Sequence, residues 1–112
     1  MSTREFSSKQ ENAVAKLLGG QVNPNSGAGK WRKGDVTIPD ASLLIECKTC
    51  MQEKSSFSIK REWIKKNKEE SFSNQLYNSC IAFNYGPDTP NYFVIDEKLM
   101  KFLVEKLIEE NS

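Results

Sequence analysis

The stretch Leu43-Leu-Ile-Glu-Cys-Lys48 decides how this chain is read. Its length, its aliphatic content and the preceding Pro39-Asp40 turn predict a β-strand over Ser42–Lys48. Side chains on a strand alternate between faces. Leu43, Ile45 and Cys47 therefore point one way, and Leu44, Glu46 and Lys48 the other. A carboxylate and an ammonium thus share one face of a strand that otherwise belongs in a core. Burying charge is costly unless it is paired or bound to a metal. A same-face ion pair is the plain explanation, and Asp35 supplies a different one. Asp35 to Ile38 resumes an extended run after Gly34, and Pro39-Asp40 turns the chain, so a hairpin brings Asp35 beside Glu46 or Lys48. Two carboxylates brought together repel, and a divalent cation removes that conflict. Mg²⁺ accepts two carboxylates and a backbone carbonyl while keeping several waters.

Working outward, a helix is expected from Ser7 to Leu18, with Ala13, Val14, Leu17 and Leu18 on its apolar face and Gly19-Gly20 stopping it. Gln21 to Asn25 reads as a short strand, and Ser26 to Gly34 as a loop that turns basic. After the central strand comes a loop, then a helix from Ile59 to Phe72 with Ser58 as N-cap. That helix turns Ile59, Trp63 and Ile64 inward and Lys60, Arg61, Lys65, Lys66 and Lys68 outward. Cys80–Tyr85 and Tyr92–Ile95 read as strands, and Asp96 caps a last helix reaching Glu110, with Leu99, Phe102, Leu103, Lys106 and Leu107 along one stripe. The order α-β-β-β-α-β-β-α predicts an α/β fold, a mixed sheet flanked by helices, in one domain spanning 1–112.

Composition narrows the chemistry. The 112 residues include no histidine, so Ser-His-Asp and Cys-His catalysis are excluded. Catalysis must rest on carboxylates, lysines, backbone groups and a metal. Three cysteines (Cys47, Cys50 and Cys80) without histidine make a four-ligand zinc site implausible, and reduced, partly buried thiols are expected. No apolar run approaches the roughly 20 residues of a membrane span. The first ten residues lack a secretory apolar stretch, so a cytoplasmic location and no membrane partner are expected. Between Lys30 and Lys68 ten Lys/Arg face five Asp/Glu, whereas Pro87–Ser112 has three against six; a polyanion suits only the first segment. Gly29-Lys30 fails as a phosphate loop, since Pro24 stands for the first glycine and Trp31 for the Ser/Thr.

Asp35, ten residues, then Glu46-Cys47-Lys48 resembles the D-x(n)-E-x-K signature of the PD-(D/E)xK nuclease superfamily. Glu11 on the first helix, Ser26-Gly27-Ala28-Gly29, Gly34-Asp35 and Ser56-Phe-Ser-Ile-Lys-Arg-Glu-Trp-Ile64 followed by Ile81-Ala-Phe83 are similar to its archaeal-type and phage Holliday-junction resolvase branch. The likeness covers nearly the whole chain; Gly34 stands where the motif's name has proline. The resemblance implies a restriction-endonuclease-like core. It also implies a Mg²⁺-dependent endodeoxyribonuclease, with Mn²⁺ able to substitute. Its metal would be held by Asp35, Glu46, the Cys47 carbonyl and Glu11, with Lys48 and Ser26 as further catalytic residues. The products would be 5′-phosphate and 3′-hydroxyl ends, and the substrate branched DNA such as a four-way junction, in a bacterial, archaeal or phage-infected cell. Lys30, Arg32, Lys33, Lys60, Arg61 and Lys65 are the expected DNA contacts. Paired cuts need two active sites, so a homodimer is expected, with Phe57, Phe83, Tyr85 and Tyr92 at its interface. A same-fold nuclease of restriction, repair or DNA degradation, and a DNA-binding module without catalysis, are the competing readings.

Overall fold

A computed structural model of the chain describes residues 3–23 and 35–112, the side chains from Glu5 onward. Three helices, α1 (Thr3–Leu18), α2 (Arg61–Ser73) and α3 (Glu97–Glu110), accompany five strands, β1 (Gln21–Val22), β2 (Val36–Ile38), β3 (Leu43–Lys48), β4 (Asn78–Phe83) and β5 (Tyr92–Val94). The strands form one sheet in the order β1-β2-β3-β4-β5. The β3–β4 pair is parallel and the other pairs antiparallel, so the sheet is mixed. The expected element order is therefore present. Among the described residues no helix is long and apolar enough to cross a membrane.

The β2–β3 hairpin closes through a 3₁₀ turn, Pro39–Ala41. Ser42 follows in the left-handed region (φ 50°), its N–H donating to the Pro39 carbonyl at 2.9 Å. Register pairs Val36 with Ile45 and Ile38 with Leu43. Side chains of β3 then alternate as expected. Ile45, flanked by Leu43 and Cys47, joins the core under α1 with Val14, Ala15, Val36, Ile38, Cys80 and Ala82. Leu44 and Ile81, fully buried outside that cluster, belong to the face that α2 covers. On that side Asn67 is buried with its Nδ2 3.4 Å from the Leu44 carbonyl. The Ser71 hydroxyl donates to the carbonyls of Leu76 (2.7 Å) and Asn78 (3.0 Å). Neither polar residue is left unsatisfied, which is what its burial requires.

Several boundaries differ from the sequence expectation. The buried line of α1 is Gln10, Val14 and Ala15, while Ala13, Leu17 and Leu18 are exposed. A polar residue takes the inward position because Gln10 Nε2 donates to the Lys48 carbonyl (2.8 Å) and to Asn91 Oδ1 (3.1 Å). The end of α1 overhangs the sheet, and Gly19 (φ +70°) terminates it. Gly20 then passes so close to β2 that a Cβ there would lie 2.8 Å from the Thr37 carbonyl. β1 is Gln21–Val22, shorter than Gln21–Asn25, and Pro24 and Asn25 lie outside the described residues. Ser58 is not an N-cap: α2 starts at Arg61 behind Lys60, without a side-chain cap, because the preceding segment carries Phe57 onto Phe83. β4 ends at Phe83, where Asn84 Oδ1 accepts from Gly86 N and turns the chain. The capping role of Asp96 is borne out, its Oδ1 accepting from Leu99 N at 2.9 Å.

Candidate active site at the β2–β3 hairpin

Asp35 enters β2 with its backbone already tied into the sheet: its N–H donates to the Ile45 carbonyl (3.0 Å) and its carbonyl accepts from Asn23 N (2.8 Å). Its side chain is fixed as well. Asp35 Oδ2 accepts the N–H of Cys47 at 2.7 Å. This charge-assisted bond holds the carboxylate against β3, one residue beyond Glu46. Glu46 and Lys48 project from the same face of β3, with Nζ and Oε2 3.6 Å apart and both side chains mostly buried. Lys48 Nζ also stands 4.5 Å from the centroid of the Trp63 ring on α2. A negative ring face and a carboxylate thus hold one ammonium between them.

The electrostatics join four carboxylates. Burial is the main cause that raises the pKa of Asp35, opposed by the Cys47 N–H and Lys48. Burial likewise raises Glu46, and the negative charge of Asp35 adds to it. Glu11, reaching in from α1, is pushed up to about 7 by burial and then by Asp35 and Glu46. The fourth carboxylate is Glu70 on α2, whose charge raises both Asp35 and Glu46. Its side chain is 12% exposed and lies 3.7 Å from Lys66. Sequence reasoning missed Glu70; Lys66, expected outward, is exposed. The signal was available in the helical spacing, since Glu70 lies seven residues after Trp63 on the inward side.

Among the described residues no group of three or more Cys, Asp or Glu side chains forms a cage that would hold a metal ion. The donor set at the hairpin fits a hard cation that keeps its own water. Asp35 and Glu46 offer oxygens, burial raises both pKa values with the charge of Asp35 adding to that of Glu46, and Lys48 lowers both. Cys47, Cys50 and Cys80 are free thiols. Burial pushes Cys80 up to about 12 and Cys47 higher still, so neither ionises near neutral pH.

Ser26, the expected DNA contacts and the outward Lys68 divide three ways. Ser26, Lys30, Arg32 and Lys33 lie outside the described residues. Lys60, Arg61 and Lys65 are exposed at the start of α2, Lys60 with its ammonium 5.7 Å from the Trp63 ring. Lys68 does not belong with them, because its ammonium is bound to Asp96 Oδ2 at 2.6 Å. The aromatic residues expected at a subunit interface pack on one another, with Tyr92 half exposed. Phe83 stacks on Phe57 at 5.3 Å and meets Tyr85 (5.6 Å) and Tyr92 (5.8 Å). Phe83 pairs with Lys48 in the sheet register, so this cluster borders the site.

The chain matches no family model, no curated protein and no solved structure. The site's own chemistry must carry its interpretation.

Proposed function

We propose that the chain is a metal-dependent DNA endonuclease that hydrolyses phosphodiester bonds in branched DNA such as a four-way junction. One observation carries this reading. A carboxylate is fastened by its neighbour's backbone beside a second carboxylate and a lysine, all on elements the fold makes rigid. Fixed groups of this kind act without reorganising during reaction. A divalent cation, Mg²⁺ or Mn²⁺, would be held by Asp35 and Glu46 with the Cys47 carbonyl, and Glu11 would approach through water. When bound, it would polarise a phosphoryl oxygen and lower the pKa of a coordinated water.

The residues of the chain do the rest. Asp35 stays oriented by its bond from Cys47. Lys48, held over Trp63, faces the attacking water or the charge that gathers on the phosphate. Lys60, Arg61 and Lys65 attract the backbone of the substrate. Two opposed strands need two such sites, which makes the working unit a homodimer.

The 3.6 Å Lys48–Glu46 pair favours a second reading, a DNA-binding module in which these two residues are only structural. Incubating the purified protein with a labelled four-way junction and a matched linear duplex, with and without Mg²⁺, separates the two. Paired nicks on the junction that vanish in Glu46→Gln support the first reading. Cutting of linear duplex assigns the same fold another nuclease role. Binding without cleavage, unchanged in Glu46→Gln, leaves the binding module.

A further inference from the structure

We propose that the cleft between α1 and the loop 84–91 binds a nucleobase, edge-on to Gln10 and Asn91. The proposal does not rest on the nuclease reading. Phe6, Lys9, Gln10 and Ala13 follow one another at helical spacing and line one side of the cleft, and the loop lines the other. The space between them is about 340 Å³, and small-molecule sites begin at about 300 Å³. Phe6, Ala13, Pro87 and Pro90 make its walls apolar. Gln10 and Asn84, 4% and 6% exposed, make its floor polar. The loop side is built into the fold. The Thr89 hydroxyl donates to the Gly86 carbonyl at 2.7 Å and accepts from Tyr85 N at 3.1 Å. Gly86 (φ +140°) passes so close to Glu53 that a Cβ would lie 2.6 Å from the Glu53 Cα. A wall already formed spares a ligand the cost of ordering it.

The floor identifies the occupant. Among the described residues, Gln10 Oε1 is the buried side-chain oxygen or nitrogen left without a hydrogen-bond partner. Turning the amide over does not mend this. Nε2 donates to the Lys48 carbonyl (2.8 Å) and to Asn91 Oδ1 (3.1 Å), with the Ala82 carbonyl at 3.4 Å. An oxygen in its place would face three oxygens. The orphan is therefore an acceptor, and an unmet acceptor in a buried place is costly. Asn91 spends its Oδ1 on Gln10 and on Asn84 (3.2 Å), so its Nδ2 is left to donate with no acceptor among the described residues. An acceptor thus stands beside a donor, between apolar walls. A nucleobase complements that set, being a flat ring with an N–H donor next to an acceptor on its edge. An aliphatic ligand would leave both amides unmet, and a simple ion would satisfy one of them. At the rim, Lys9 Nζ and Asp88 Oδ1 lie 2.6 Å apart, both exposed, an ion pair too weak to bar entry. A free nucleoside and an unpaired base of a nucleic-acid strand present the same edge.

The test follows the side-chain amide resonances of Gln10 and Asn91 by NMR in the isotope-labelled full chain. Adenosine, cytidine and uridine are titrated in turn, then a single-stranded oligonucleotide of mixed sequence. Both resonances should move saturably, with a dissociation constant of about a millimolar or below. Purine riboside, which lacks the amino donor of adenosine, should bind about tenfold more weakly, since Gln10 Oε1 again goes unmet. Asn91→Asp keeps the oxygen that Gln10 and Asn84 need and loses the donor, so it should weaken binding several-fold. Ala13→Phe, at an exposed position of α1, should block the cleft and leave the circular dichroism unchanged. Movement with nucleosides supports the proposal and assigns the cleft to a free ligand. Movement with the oligonucleotide alone also supports it and assigns the cleft to a base within a strand. No movement at several millimolar overturns the proposal and leaves Gln10 Oε1 to a water. Binding at full strength in both Ala13→Phe and Asn91→Asp overturns it too, as does equal affinity for purine riboside and adenosine.

Discussion

Asp35 and Cys47 are joined side chain to backbone, the aspartate carboxylate accepting the cysteine amide at 2.7 Å. That bond makes the aspartate part of the sheet rather than a loop side chain. It also allows fold and chemistry to be separated. Asn keeps a carbonyl oxygen that can accept from Cys47, so Asp35→Asn should fold with a melting temperature near that of the wild type. Cleavage should nevertheless disappear, because the charge that would hold the cation is gone. Asp35→Ala removes the acceptor as well and should cost about 1.5–3 kcal/mol, the range for bonds to charged groups. Thermal melts beside a nicking assay on both variants check this. Equal melting temperatures for Asn and Ala would show that the bond does not hold the hairpin.

Lys48 gives the next expectation. Its ammonium lies between Glu46 and the Trp63 ring, so its position depends on both. Lys48→Ala should lower turnover while divalent-cation binding persists, because the lysine contributes no ligand. Trp63→Leu should lower turnover less, since the ammonium keeps its carboxylate partner and loses an attraction worth about 0.5–2 kcal/mol. Titration calorimetry with Mn²⁺ and single-turnover kinetics distinguish these effects. Loss of cation affinity in Lys48→Ala would contradict the role assigned to it.

Glu11, Asp35 and Glu46 together predict an unusual stability profile for the cation-free protein. Each carboxyl has a raised pKa in the folded state, so the folded chain binds protons more tightly than the unfolded one. Stability then falls as pH rises. For Glu11 the contribution is complete below its ordinary value of 4.5 and is lost as pH rises to about 7. The melting temperature in chelator should therefore drop between pH 5 and 7. Glu11→Gln should flatten that slope, and added Mg²⁺ or Mn²⁺ should reverse it by binding the folded state alone. A flat profile in chelator would remove the electrostatic argument for the site.

The parts of the molecule differed in how legible they were from sequence. β3 was readable because its aliphatic run allowed a single strand register, and the turn at Pro39 dictated which residues it would meet. Helix faces were harder. In α1 the aliphatic residues pointed to Ala13 and Leu17, but the fold turned Gln10 inward, because carbonyls at the ends of β3 and β4 require a donor. Periodicity shows that a face is apolar and not what covers it; the stripe on α3 was visible while its outward direction was not. Glu70 escaped notice because it sits in a run of charged residues, although its spacing of seven from Trp63 places it on the inward side of α2. Ser26 and the basic loop fall outside the described residues, so their roles stand as sequence expectations.

Glu70 offers the last and most discriminating test, because nothing in the D-x(n)-E-x-K pattern called for it. Its carboxylate is 12% exposed, faces Lys66 at 3.7 Å, and raises the pKa of both Asp35 and Glu46. Removing its charge relieves two neighbours at once. Glu70→Gln should stabilise the cation-free protein at pH 7, an unusual outcome for substitution of a nearly buried residue. Lys66→Ala should do the opposite, leaving Glu70 unpaired beside two like charges. Saturating Mg²⁺ should shrink both differences, since a cation between Asp35 and Glu46 screens them from Glu70. Melting curves of the two variants, with and without the ion, give four numbers. Two shifts of the same sign, or shifts that ignore the ion, would place Glu70 outside the cluster and return it to the surface charge of α2.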